Sequence, residues 1–415
     1  MKPRDAKEAT MNEKLVQLWQ RLLDSVLDPI AEWVHKLSWA KRASIVLAGA
    51  AAAMLEQNPD ILSKGWTFSG RVIRVAMAAP DVIPLTSEMQ VTVLDIQDRL
   101  HTVNQNDTHL IPTLGLTGWS ASQTLLSIAE LRNSQQGAQL TGYIRARRLA
   151  PCNCWAELND DKENKGWTFI TGWVLAALAA HGTEAEPVEI EFLLNHQNAD
   201  GSWSSIPDKT LPQYASVYAT AWATLGLLKQ SNAALIKDTA MAKSASDAAS
   251  RGAAWLLNVR QPKARWKPYP YQTASSISGS ISGLAMHTLH EAMPRQVSSL
   301  EQDWLENIPE SPVPASLGEN SYVEIKSSET RQIDHFVQLT MPWMLMATVE
   351  AYPHGTIQQK IRALSWIEQT LAHESVRNAD TEQGNWWRAE LGIAINHLVR
   401  HLPAGAQQAG RDNRK

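Results

Sequence analysis

Two carboxylic acids and a set of tryptophans stand where chemistry could be done. Asp334 precedes His335 at the expected start of an apolar helix, and Glu390 lies in the first turns of another, close to Trp386, Trp387 and Arg388. A carboxyl group donates a proton when burial holds its pKa up, and a neighbouring imidazole can orient it. Carboxylates are seldom buried unless paired, so either acid is informative if it faces a cavity. The structural alternatives are a helix cap for Asp334, and an ion pair with Arg388 or a polar outer position for Glu390. Trp173, Tyr218, Trp222, Trp343, Trp386 and Trp387 fall on or beside the same class of helix, where π faces could stabilise a cation or hold an apolar ligand. Packing between helices accounts for these rings equally well.

Other chemistries find less support. Asp160-Asp161 has the look of a pair for a metal-bound diphosphate, but its charged, glycine-flanked setting reads as a solvated loop. The only cysteines, Cys152 and Cys154, have no histidine near them in sequence, whereas zinc wants four ligands, or three and a water. Neither a metal nor a cofactor is expected. Glycine-rich phosphate loops, Gly-x-Ser-x-Gly elbows and His-Glu-x-x-His helices are all missing. With 38 Lys plus Arg against 42 Asp plus Glu, the net charge is −4, which argues against a nucleic-acid partner. Two cysteines in 415 residues make no disulfide framework and suit a reducing compartment, so a cytoplasmic location is expected.

The elements that must position these groups are helical. Leu15, Leu18, Trp19, Leu22, Leu23, Val26, Leu27, Ile30, Trp33, Val34 and Leu37 recur at helical spacing, predicting an N-terminal amphipathic helix within residues 1–40. It can pack on the rest of the chain, or dock on a membrane surface or a partner. The apolar run from Ile45 to Leu55 is too short to span a bilayer. Residues 41–402 read as a repeat, with the five residues Lys64 to Phe68 recurring identically as Lys165 to Phe169. Further copies run through Trp119, Trp203, Trp266 and Trp386, and a degenerate one passes through an extended loop into a helix from Asp334 to Tyr352. Lys229 to Arg251 reads as a linker between copies, and residues 403–415 as a disordered tail. Each copy pairs a helix with a charged face and a helix apolar nearly all round, which needs burial on several sides. Six or seven such hairpins, each turned the same way, can close into a ring. The expected fold is therefore all-α, an α/α toroid carrying the N-terminal helix. The 17 tryptophans, against 4 Phe and 7 Tyr, fit a recurrent structural use of that side chain.

Phe192-Leu193, three residues, Gln197, then Gly201-Ser202-Trp203 resembles the QW motif of the superfamily of terpene cyclases, squalene cyclases and protein prenyltransferases. The motif residues themselves read as scaffold: Gln satisfies free carbonyls, Gly permits the turn and Trp packs across to the next hairpin. Ser216-Val217-Tyr218-Ala219-Thr220-Ala221-Trp222 is similar to a Ser-x-Tyr-Asp-Thr-Ala-Trp stretch of diterpene cyclase toroids, with Ala219 where the resemblance implies an aspartic acid. Alanine donates no proton, and the family's zinc ligands are missing too. The resemblance implies a toroid that keeps the scaffold and its cavity and binds an apolar, isoprenoid-like ligand or a protein partner. One alternative is an active terpene cyclase with Asp334 as proton donor, His335 orienting it, and Trp222, Trp343 and Trp387 stabilising cations. Another is a scaffold component of a multiprotein system such as bacterial defence, using the rim of the ring.

Overall fold

The computed structural model describes residues 69–128, 131–132, 134–150, 152–156, 166–205, 214–232, 235–273, 275, 277–308, 318–326, 331–380 and 385–406, of which 318–326, 331–341 and 385–386 are described by backbone path. The expected N-terminal helix, the Lys64 to Phe68 copy and the Asp160-Asp161 pair lie outside the described residues.

The protein is all-α. After a helix over residues 69–77, the main helices are α1 (Ser87–Leu114), α2 (Gly118–Ser127), α3 (Gln135–Ala146), α4 (Thr168–Ala180), α5 (Pro187–Asn195), α6 (Val217–Asn232), α7 (Thr239–Asn258), α8 (Gly279–Ala292), α9 (Ser298–Glu306), α10 (Thr340–Ala351), α11 (Ile357–Ala372) and α12 (Asn385–Arg400). Odd and even members differ in composition as the hairpin pattern requires. Every residue of α4 from Thr168 to Ala179, and of α6 from Val217 to Leu228, is buried. By contrast α7 and α11 each bury one stripe, including Ala245, Ala248, Ala249, Gly252 and Ala253 on α7.

Side-chain capping defines where the helices begin. The hydroxyls of Thr86, Thr117, Ser134 and Ser278 each accept from the backbone N–H three residues on, and Thr356 with Gln359 forms a capping box.

Packing of the even helices runs in a cycle: α2 lies on α4, α4 on α6, α6 on α8, α8 on α10, α10 on α12, and α12 on α2. The odd helices lie against them, with α1 on α2 and α12, α7 on α6 and α8, and α9 on α10. Glycine permits the closest approaches. A Cβ on Gly172 of α4 would lie 2.4 Å from the Trp222 carbonyl oxygen of α6, one on Gly226 of α6 would lie 2.4 Å from the Gly172 oxygen, and one on Gly283 of α8 would lie 2.5 Å from the Trp343 carbonyl carbon of α10.

Three successive copies share one set of hydrogen bonds. The indole N–H of Trp155, Trp203 and Trp266 donates to the carbonyl of Ile144, Leu193 and Leu256, at 2.8, 2.8 and 2.7 Å, in the last turns of α3, α5 and α7. The backbone N–H of the same tryptophans donates to Thr171, Thr220 and Ser282 on the following even helix. Their carbonyls accept from Trp167, Ser216 and Ser278, where that helix begins. The tryptophan thus bolts an outer helix to the start of an inner one. Gln197 donates to the carbonyls of Gly201 and Ala248, both at 2.9 Å, and Gly201 takes a φ of 94°, as the scaffold reading of the motif expects.

Several expectations are corrected. Lys229 to Arg251 is no linker: it holds the end of α6 and more than half of α7, because alanine is the best helix former and its small face fits against α6. A Cβ on Gly252 there would fall 2.8 Å from the Trp203 ring. In the third copy Trp155, not Trp167, fills the bolting position. Residues 404–406 form a helical turn within the expected tail, of which 407–415 lie outside the described residues. Finally, Asp334 and His335 do not open a helix. They sit in β2 (Arg331–Leu339), paired antiparallel with β1 (Gly318–Lys326), so that Asp334 faces Val323 in register and His335 faces Tyr322. Both strands carry the β-branched and aromatic residues that favour extended chain, and α10 starts only at Thr340.

Candidate functional site

Each of the six even helices contributes to one buried cluster. Trp173 of α4 and Trp222 of α6 stack with ring centroids 3.6 Å apart. Trp343 of α10 meets both edge-on, at 5.3 Å from Trp222 and 6.0 Å from Trp173. Because α4 and α10 stand three steps apart in the packing cycle, these rings meet across it. Trp119 of α2 lies edge-on to Trp173 at 6.5 Å, Phe169 of α4 tilts against Tyr218 of α6 at 5.1 Å, and His287 of α8 is 6.0 Å from Trp343. The indole N–H groups of Trp119 and Trp173 are buried without a hydrogen-bond partner among the described residues, each leaving a donor unsatisfied.

Into this cluster α12 brings Glu390, 5% exposed. Trp343 donates its indole N–H to Oε2 at 2.8 Å, and Gln123 of α2 donates its amide to Oε1 at 3.3 Å. Burial pushes the Glu390 carboxyl up to about 8, against these two hydrogen bonds, which favour the charged form. At neutral pH it holds its proton beside the Trp343 indole. The expected pair with Arg388 does not form: Arg388 reaches Asp107 of α1 at 2.8 Å. The Tyr218 hydroxyl is held well above its usual range, first by burial and then by the Glu390 charge.

Of the residues singled out from sequence, Trp173, Tyr218, Trp222 and Trp343 come together with Glu390, and Trp387 is buried on α12. Asp334 and His335 belong to the β1–β2 ribbon, which lies beside α8, with β1 also against α10. Cys152 and Cys154 are joined by a disulfide, their Cα atoms 5.2 Å apart in the turn after α3.

A second cluster escapes a reading by sequence neighbourhood. His287 and Glu291 share one face of α8, four residues apart, and meet Glu350 of α10 and His397 of α12. His287 Nδ1 lies 2.8 Å from Glu350 Oε1, and His397 Nε2 lies 3.5 Å from the same oxygen. Glu350 is fully desolvated, which would raise its pKa, yet the surrounding imidazoles, His287 foremost, hold it below the usual value. Burial takes His397 down to about 4, against the attraction of Glu350. The His-x-x-x-Glu spacing on α8 is the one signal in the sequence that points here.

No family model, curated protein or solved structure matches the chain. Among the described residues no helix is long and apolar enough to cross a membrane.

Proposed function

We propose that the chain is an α/α toroid of the terpene cyclase and prenyltransferase type, binding an apolar, isoprenoid-like ligand against the Glu390 acid. The cyclic packing of the even helices supports the toroid, and the motif around Gln197 supports the kinship. One arrangement carries the ligand reading: a carboxyl group whose pKa burial raises to about 8 is bonded to the Trp343 indole, which itself meets Trp173 and Trp222 edge-on. Such an acid can protonate an alkene, leaving a carboxylate and a carbocation that the aromatic faces stabilise. The acid in this role is Glu390, whose carboxyl is held by Trp343 and Gln123.

The test is mass spectrometry of the organic extract of the protein from its native host, with incubation of wild type, Glu390→Gln and Asp334→Asn with a panel of prenyl diphosphates and their hydrocarbons. The expected result is a stoichiometric isoprenoid, and any turnover lost in Glu390→Gln but kept in Asp334→Asn. A clean extract and no binding by folded protein would overturn it.

The stacking of Trp173 on Trp222 favours a second reading, because rings packed at 3.6 Å fill that level of the cycle. On that reading the toroid is a scaffold that binds a protein partner at its rim. Co-purification of one stoichiometric protein, with a clean organic extract, would select it.

A further inference from the structure

We propose that His287, Glu291, Glu350 and His397 form a buried binding site for one divalent transition-metal ion. One ligand atom from each of His287, Glu291 and Glu350 lies within 4.8 Å of the other two, and His397 approaches the Glu350 carboxylate from the third helix. Two imidazoles and two carboxylates are the donor set of zinc and of iron, cobalt or manganese in the divalent state. Calcium and magnesium fit less well, since they want six or more oxygen ligands.

The donors are left unsatisfied as a metal site would leave them. Glu350 is 3% exposed, and its Oε2 has no hydrogen-bond partner among the described residues. His397 Nε2 is buried 3.5 Å from Glu350 Oε1 and makes no hydrogen bond among the described residues. A buried carboxylate oxygen left without a partner is costly, and a cation is a group that satisfies it. Tetrahedral ligands at about 2.1 Å from zinc stand roughly 3.4 Å apart. The separations of 2.8 and 3.5 Å around Glu350 Oε1 are already near that, so binding asks for exchange of the His287–Glu350 hydrogen bond rather than a rebuilt backbone. Lys229 holds the other flank, with its ammonium 2.6 Å from Glu291 Oε2, leaving one Glu291 oxygen for the ion. Three helices meet at the site, so a metal there would tie α8, α10 and α12 together.

Its test needs no ligand at Glu390 and reads metal alone. Full-length protein without an affinity tag, stripped with chelator and desalted, is titrated with Zn(II) and separately with Co(II), with bound metal measured by plasma mass spectrometry and Co(II) coordination by its visible d–d bands. The expected result is one equivalent bound and a rise in Tm that chelator reverses. Glu291→Gln, at a half-buried position, and His397→Gln are each expected to weaken binding tenfold or more while keeping the helical circular dichroism. Uptake below one equivalent by folded wild type, or unchanged affinity in both variants, would overturn the proposal.

Discussion

Trp343 and Glu390, on neighbouring helices α10 and α12, share a 2.8 Å hydrogen bond from indole to carboxyl in the centre of the helix cycle. The bond ties the acid to the same ring that lies edge-on to Trp173 and Trp222. The charge state of Glu390 and the packing of the tryptophans are therefore one problem.

The acid sets a pH dependence of stability. Below about pH 4.5 the carboxyl is protonated in folded and unfolded chains alike. From there to about pH 8 the unfolded chain releases the proton and the folded chain keeps it, so stability falls as pH rises, then levels off. The full loss amounts to at most about 5 kcal/mol. Glu390→Gln is expected to abolish this fall, so that urea unfolding at pH 5 and pH 8 differs less in the variant than in wild type. An identical difference in both proteins would refute it.

Trp343→Phe keeps the ring and removes the donor that favours the carboxylate. The Glu390 pKa should rise further, extending the falling limb of stability by about one pH unit. The observable is the pH at which the unfolding free energy becomes flat, compared between the two proteins.

Trp203→Ala removes an indole that is fully buried and donates to Leu193. A loss of roughly 3–5 kcal/mol is expected from denaturant unfolding, as for other large aromatics deleted from cores. A loss below 1 kcal/mol would contradict the bolting role of this residue.

Two glycines make opposite predictions. Gly172→Ala drives a methyl into the Trp222 carbonyl and should cost about 1–3 kcal/mol or more. Gly142→Ala, in α3, meets nothing within 4 Å and should stabilise by about 0.5–1 kcal/mol through helix propensity. Thermal unfolding of the pair checks both signs.

How much of this is legible in sequence depends on the range of each interaction. Period and apolar content placed the even helices, since residues such as Thr168 to Ala179 leave no polar face to expose. The scaffold role of Gln197, Gly201 and Trp203 was legible for the same reason, because a helix end and a tight turn are local. The equivalence of Trp155 with Trp203 and Trp266 was not, because it rests on bonds to both flanking helices and not on a neighbouring glycine. Alanine in α7 misled, as a residue that reads as a linker in isolation becomes a helix when its small face finds α6. Asp334 misled in the other direction: its helix-like neighbourhood hides β-prone residues that pair with a strand upstream. The Glu390 environment and the His287–Glu350–His397 cluster needed long-range contacts that no spacing rule supplies.

Gln123 and Glu390 are 267 residues apart in the chain, and the backbone of Ile83 bonds to the carbonyl of His401 at 2.7 Å. During synthesis at roughly 5–20 residues per second, α2 would wait about 13–50 s for its second neighbour. Until then one flank of α2 and the groups facing Glu390 have no lid. Helices α1 and α2 are thus joined to α12 in a single adhesive joint, and a ribosome that stops before α12 releases helices with an open, apolar seam.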